Sequence, residues 1–97
     1  MEITPQEKRE LQAVIPSKTQ TFCILYWKSA DGPKAEKKVL MRINSNGVPI
    51  STKKYSEVFF FDDVRHTLVY AQHLLKYGYD LKIHKCNRKG TDKFWLT

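Results

Sequence analysis

Cysteine, glycine, proline and long apolar runs are all scarce in this 97-residue chain. Two cysteines are too few for a disulfide framework, so we expect reduced thiols. Four glycines and four prolines exclude a collagen-like or low-complexity chain. The first residues lack the apolar stretch of a signal peptide, and no run of about 18 apolar residues could span a bilayer. We therefore expect a soluble, cytoplasmic protein that has no membrane partner.

Apolar residues are sufficient for one packed core. They make up 41% of the chain, and aromatic residues make up 12%. No repeat with a period of about 20 to 50 residues is present, which excludes solenoids and propellers. We expect a single small domain over residues 1–97, with fraying at residues 1–3.

The segment from Thr4 to Glu7 has the sequence of a helix N-terminus. The Thr4 hydroxyl can accept from the Glu7 amide, the Glu7 carboxylate can accept from the Thr4 amide, and Pro5 suits the first helical position. Pro16 is expected to end this helix. Its apolar stripe consists of Leu11, Val14 and Ile15.

Two strands are expected after this helix. Residues 21–29 are almost continuously apolar and aromatic, which indicates a strand that is buried on both faces or central in a sheet. Residues 37–45 alternate between apolar and polar types, which predicts a half-solvated strand. The apolar face of this second strand is expected to consist of Val39, Met41 and Ile43.

A hairpin turn is expected at Asn46-Gly47, because both residues tolerate positive φ. Residues 48–52 should then return as a third strand, and Pro49 places that strand at a sheet edge. Residues 53–61 are expected to be mostly extended.

A second helix and a terminal hairpin complete the expected fold. Asp62 or Asp63 caps the helix and Gly78 ends it, whereas residues 79–86 and 92–96 predict two strands joined by a basic turn over residues 87–90. The apolar positions of the helix are Val64, Leu68, Ala71 and Leu75. The order α-β-β-β-α-β-β indicates an α+β fold, with an antiparallel sheet of about five strands and two helices on one face.

Positive charge is in excess and is concentrated in three groups along the chain. These groups are residues 34–42, Lys53-Lys54 and residues 82–93. Lys and Arg number 17 against 10 Asp and Glu, which gives a net charge of +7 and a pI near 9.5 and favours an anionic partner. Nucleic-acid binding requires cations that meet successive phosphates. The expected contacts are Lys37, Lys38, Arg42, Lys82, His84, Lys85, Arg88, Lys89 and Lys93. The alternative is that these lysines only solvate the sheet and protect its edges.

From Phe22 onward, the order of elements resembles the C-terminal double-wing DNA-binding domain of the MotA family of T4-type phage middle-promoter activators. The likeness rests on a strand that ends Arg42-Ile43-Asn44-Ser45-Asn46-Gly47, a helix closed by Gly78 and the segment Lys82-Ile83-His84-Lys85. It implies that the sheet and wings lie against duplex DNA, with contacts from basic residues of the second strand and the last hairpin. Because a capped helix stands here in place of that family's activation domain, only nucleic-acid contact is carried over.

Protein binding is the second hypothesis. A phage-type factor that blocks a host defence or transcription complex would use an aromatic patch, and its charge would steer it to an acidic protein surface. The candidate anchors are Trp27, Tyr70, His73, Tyr77 and Trp95. This hypothesis requires an exposed aromatic patch, whereas the first requires the basic residues to share one face.

Catalytic, metal and cofactor chemistry is not indicated by any motif. No Cys-x-x-Cys or closely spaced histidine pair suggests a metal site, and no glycine-rich loop suggests a nucleotide. Asp62-Asp63 is explained as a helix cap, Cys23 lies in the most apolar strand, and Cys86 has only a basic neighbourhood in favour of reactivity. We expect a non-enzymatic protein with no cofactor, metal or small-molecule substrate.

Overall fold

The structure is a computed structural model and describes residues 3–17 and 21–86. Its elements are α1 (Pro5–Ala13), β1 (Phe22–Lys28), β2 (Lys38–Ile43), β3 (Pro49–Thr52), α2 (Val64–Lys76) and β4 (Tyr79–Lys85), with short 3₁₀ helices at Ser29–Asp31 and Tyr55–Glu57. The fold is α+β, and the four described strands form one antiparallel sheet in the order β3-β2-β1-β4. The expected fifth strand and the basic turn before it lie outside the described residues. Neither described helix is long and apolar enough to cross a membrane.

The central strand β1 is buried on both faces, as its sequence predicts. Cys23, Ile24, Leu25 and Tyr26 are all at most 7% exposed. Ile24 and Tyr26 pack in the core beneath the helices, whereas Cys23 and Leu25 belong to a second apolar cluster. Successive residues of a strand point to opposite faces, so the two clusters lie on opposite sides of the sheet.

Both helices cover the same side of the sheet. Tyr70 of α2 packs edge to face on Phe61, with ring centroids 5.3 Å apart, and its hydroxyl donates to the Leu11 carbonyl of α1 at 3.0 Å. This buried hydrogen bond joins the end of α1 to the middle of α2. The helix-side core consists of Leu11, Val14, Ile24, Tyr26, Leu40, Phe61, Tyr70 and Leu74.

A bulge in β2 changes which side chains reach the core. The register with β3 shifts between Leu40 and Arg42, after which Arg42 lies opposite Ile50. Because the bulge inserts one extra residue, Arg42 faces the same way as Val39, whereas Ile43 packs with Leu40 beneath the helices. The expectation of uninterrupted alternation, with one face formed by Val39, Met41 and Ile43, is therefore wrong.

Helix α2 turns a different stripe to the core from the one expected. Its N-cap is Asp63, and Gly78 has the expected positive φ of 92°. The buried side chains are those of Thr67, Tyr70, Ala71, His73 and Leu74. The expected stripe is correct only at Ala71, since Val64, Leu68 and Leu75 are 45%, 46% and 58% exposed. Tyr70 occupies the core because the Leu11 carbonyl satisfies its hydroxyl.

Helix α1 confirms the expected start but ends earlier than Pro16. Thr4 and Glu7 form both hydrogen bonds of the capping box, each 3.1 Å long. The last helical residue is Ala13, and Val14 is already extended. Since the helix stops there, Ile15 leaves the apolar stripe and is 76% exposed, which corrects the expected stripe.

The hairpin between β2 and β3 contains the expected Asn46-Gly47 turn. The Asn44 side-chain oxygen accepts from the amides of Asn46 and Val48 at 2.9 and 3.0 Å. Gly47 has a φ of 83°, and a Cβ built there would collide with the Ile3 side chain. The turn therefore lies directly against the residues that precede α1. Strand β3 is at the sheet edge, as Pro49 predicts.

Replacing Gly47 with alanine should destabilise the fold more than the same change at Gly78. Both glycines have positive φ, which costs about 1 kcal/mol or more for alanine, but no atom lies within 4 Å of a Cβ at Gly78. The collision at Gly47 should add roughly 1–3 kcal/mol. Urea denaturation of Gly47→Ala and Gly78→Ala measures this difference. Equal losses would show that the chain before α1 does not pack on the turn.

Candidate nucleic-acid interface

The side of the sheet opposite α1 and α2 is here called the helix-free face. Residues directly opposite one another in antiparallel strands point to the same side. Leu25 points away from the helices and lies opposite both Val39 and Lys82. The same pairing places the following side chains on the helix-free face: Cys23, Leu25, Trp27, Val39, Arg42, Ile50, Thr52, Asp80, Lys82 and His84.

Four of the expected nucleic-acid contacts lie together on this face. Lys37 has its Nζ 5.3 Å from the Trp27 ring centroid, which is a cation–π geometry. Arg42 lies on β2, and Lys82 and His84 lie on β4, on the other side of β1. Lys37, Arg42 and Lys82 are exposed and His84 is half-buried.

The centre of the helix-free face is apolar. Segment 58–61 inserts beside β1, where Phe22 and Phe61 form an isolated bridge and the Phe59 amide donates to the Leu40 carbonyl at 3.0 Å. This insertion brings Val58 and Phe60 into the cluster. The buried members are Cys23, Leu25, Val39, Val58, Phe60 and Cys86. The basic side chains of this face therefore border a buried apolar cluster.

The other expected contacts do not reach this face. Lys38 lies opposite Tyr26, and Lys85 lies opposite Phe22, so both project to the helix side of the sheet. The helix-free face therefore carries four of the basic residues that were expected to share one face, but it does not carry Lys38 or Lys85. The remaining candidates, Arg88, Lys89 and Lys93, lie outside the described residues.

Near the described part of the helix-free face, acidic side chains are fewer than basic ones. Asp80 lies opposite Trp27 on β1. Glu57 lies beside Thr52, whose hydroxyl donates to it at 3.4 Å, and its other oxygen is 3.7 Å from the Lys54 ammonium group. The Lys54 partner offsets the Glu57 charge, so the described face keeps a positive balance.

The aromatic anchors of the protein-binding hypothesis are placed differently. Tyr70 and His73 are each 6% exposed, and Tyr77 is half-buried. These three side chains lie between α1 and α2 instead of forming a surface patch. Trp27 is half-buried on the helix-free face beneath Lys37, and Trp95 lies outside the described residues.

A polar junction between the helices centres on Glu7. Its carboxylate accepts from the Tyr77 hydroxyl at 2.9 Å, from the Lys76 ammonium group at 3.2 Å and from the Thr4 amide at 3.1 Å. The Thr4 amide, followed by the Tyr77 hydroxyl, lowers the pKa of Glu7 from 4.5 to about 2. Sequence reasoning assigned Glu7 only a capping role, because its α2 partners are about 70 positions away in the chain.

His73 links this junction to the hairpin turn. Its Nε2 lies 3.1 Å from the Gly47 carbonyl oxygen, which can only accept, so Nε2 carries the proton and donates. Its Nδ1 lies 4.0 Å from the Glu7 carboxylate. Helix α1, helix α2 and the β2–β3 turn are therefore held together by one group of polar side chains.

Catalytic and metal chemistry gains no support from the described residues. Asp63 caps α2 through the Arg65 amide at 2.8 Å, and hydrogen bonds from Arg65 lower the pKa of Asp63. Asp62 lies 3.3 Å from the His66 Nδ1. Within residues 3–17 and 21–86, no three His, Cys, Asp or Glu side chains are grouped so that they could hold a metal ion.

Stability should fall in acid because Glu7 loses its charge. Its pKa is lower in the folded state than in the unfolded state, so its contribution is fully present above about pH 4.5 and is lost as the pH approaches 2. Glu7→Gln keeps a capping side chain but removes the charge. The difference in free energy of unfolding between wild type and Glu7→Gln should therefore shrink from pH 5 to pH 2.

The matched control is Glu10→Gln, which removes the same charge from an exposed position of α1. Urea denaturation across this pH range should show the shrinking difference for Glu7→Gln alone. A constant difference between wild type and Glu7→Gln would contradict the Glu7 junction.

Comparison with known proteins identifies no relative. No protein-family model, no curated protein and no solved structure matches this chain. The resemblance to double-wing domains is neither supported nor opposed by that result and stays a prediction. The function must therefore be inferred from the chemistry of the helix-free face.

Proposed function

We propose that this chain is a non-enzymatic nucleic-acid-binding protein whose helix-free face lies against the phosphate backbone. The observation that supports this proposal most is the common placement of Lys37, Arg42, Lys82 and His84 around an apolar centre. The net charge of +7 adds a long-range attraction for a polyanion.

The three exposed cations differ in what they contribute. Arg42 has a planar guanidinium that can donate two parallel hydrogen bonds to one phosphate. Lys82 and Lys37 act as point charges that neutralise neighbouring phosphates and release counterions. The indole beneath Lys37 belongs to Trp27, which offers a planar surface to a sugar or a base.

Duplex DNA is the favoured ligand, and a phage or mobile-element regulator acting in the cytoplasm is the favoured setting. Both choices rest on the resemblance to the double-wing domains, in which a sheet and its wings lie along a duplex. Contacts with phosphates position a protein, and contacts with base edges would be needed to specify a sequence.

The protein-inhibitor alternative loses most of its described anchors. Tyr70 and His73 are buried, and the Tyr77 hydroxyl donates to Glu7. Residues that already satisfy one another within the fold are poor candidates for hot spots, which must pack against a partner. The described structure thus favours nucleic acid over a protein target.

Fluorescence anisotropy with labelled single-stranded DNA, duplex DNA and duplex RNA tests the proposal. Each ligand is titrated with the purified protein at low and moderate salt. We expect tightest binding to duplex DNA and an affinity that falls steeply with salt. Absence of binding to all three ligands at low salt would refute the proposed function.

Neutralising Arg42 should weaken binding, whereas neutralising Lys38 should not. Both residues are exposed on β2, but only Arg42 lies on the helix-free face. Arg42→Gln should reduce the slope of log affinity against log salt by about 1, which corresponds to one lost phosphate contact. Lys38→Gln should leave this slope unchanged. Equal effects of the two variants would mean that net charge, and not the helix-free face, determines binding.

A further inference from the structure

The outer edge of β4 presents backbone groups to the outside of the sheet. The Cys86 amide donates to the Thr21 carbonyl and the Ser29 amide donates to the Gly78 carbonyl, so even-numbered residues direct their backbone groups toward β1. Backbone groups alternate along an antiparallel strand, so those of Tyr79, Leu81 and Ile83 point away from β1. Among the described strands, none pairs with this edge, and the expected hairpin strand over residues 92–96, which would compete for it, lies outside the described residues. Such an edge is a template for another strand.

Helix α2 carries an exposed apolar stripe made of Val64, Leu68 and Leu75. At 3.6 residues per turn, these positions fall within about 40° of one another around the helix. They are 45%, 46% and 58% exposed, whereas Ala71, which lies between them in sequence, is 6% exposed. We call these three residues the α2 stripe.

The α2 stripe lies on the same side of the molecule as the outer edge of β4. Helix α2 packs on β1 and β4, and α1 joins it on the side of His73 and Tyr77. Helix α1 lies toward β2, where Leu11 packs in one cluster with Ile43. Because the stripe is on the opposite side of α2 from α1, it faces outward above the edge of β4.

This edge is complementary to itself in one antiparallel register. If two copies pair about a two-fold axis at Leu81, Asp80 lies opposite the partner's Lys82, and Lys82 lies opposite the partner's Asp80. Their side chains share the helix-free face and form a non-hydrogen-bonded pair, the arrangement in which opposed side chains are closest. A shift of the axis to Lys82 would instead oppose two lysines.

The same register brings the α2 stripes together. Each α2 lies above β1 and β4, and strands are about 4.8 Å apart, so the two α2 axes would be about 10 Å apart. Packed helices lie about 8–10 Å apart. The self-paired edge and the apolar stripe therefore predict one continuous interface.

We propose that a second copy of this chain binds to the outer edge of β4 and to the α2 stripe, so that the sheets of the two copies become one. The two-fold axis is perpendicular to the sheet, so both helix-free faces point to the same side and the cationic surface is doubled. Self-association does not depend on nucleic-acid binding, and it is measured without any ligand.

Sedimentation equilibrium over a wide concentration range tests the dimer. The mass should rise from 11.4 kDa toward twice that value as concentration increases. Leu68→Lys should abolish this rise because it adds a charge to the α2 stripe. The matched control Gln72→Lys adds the same charge at an exposed position on the same helix, outside the stripe, and should still dimerise.

Charge exchange between Asp80 and Lys82 tests the register. Asp80→Lys and Lys82→Asp should each weaken self-association about tenfold, although they change the net charge in opposite directions. An equal mixture of the two variants should form a heterodimer of wild-type strength, because every lysine then lies opposite an aspartate. Circular dichroism of each variant excludes unfolding as the cause.

Three results would overturn the proposal. A mass of 11.4 kDa at every concentration would exclude the dimer. A dimer that Leu68→Lys leaves intact would place the interface elsewhere. A monomer in which the Leu81 and Ile83 amides resist hydrogen exchange would show that this chain covers its own edge.

Discussion

The register shift between Leu40 and Arg42 in β2 determines which side chains reach each face of the sheet. Without the bulge, Arg42 would point to the same side as Leu40 and would place a charge beneath α1. An unpaired buried charge costs several kcal/mol, so the fold could not tolerate that arrangement. With the bulge, Ile43 enters the core and Arg42 reaches the helix-free face. One extra residue thus completes the apolar core and also supplies the cation on β2 that the proposed function requires.

The attachment of α1 is the second constraint on the fold. A nine-residue helix is too short to be stable alone in water, so α1 depends on its contacts with α2 and the hairpin turn. The buried hydrogen bond from Tyr70 holds its end, and the Glu7 junction holds its start. His73 connects that junction to Gly47. These contacts involve neither the basic side chains of the helix-free face nor the α2 stripe.

Features that depend on neighbouring residues could be predicted from the sequence, and features that depend on distant contacts could not. The Thr4 capping box, the Asn46-Gly47 turn and the Gly78 cap each involve only a few positions, and all three are confirmed. The core-facing side of α2 was missed because it depends on a hydrogen bond to α1. The sequence identified basic residues as the candidate site, but their division between two faces depends on the β1–β4 register and on the bulge. Lys38 and Lys85 were therefore included with residues on the other side of the sheet.

The central claim is that nucleic acid contacts the helix-free face. A heteronuclear NMR titration of the isotope-labelled protein with unlabelled duplex DNA tests it most directly, because each backbone amide and the indole N–H of Trp27 report separately. The account predicts that the largest shift changes fall at Trp27, at Arg42 and along β4, with small changes at the exposed positions of α2. Shift changes concentrated on α2, with none at Trp27 or Arg42, would contradict it.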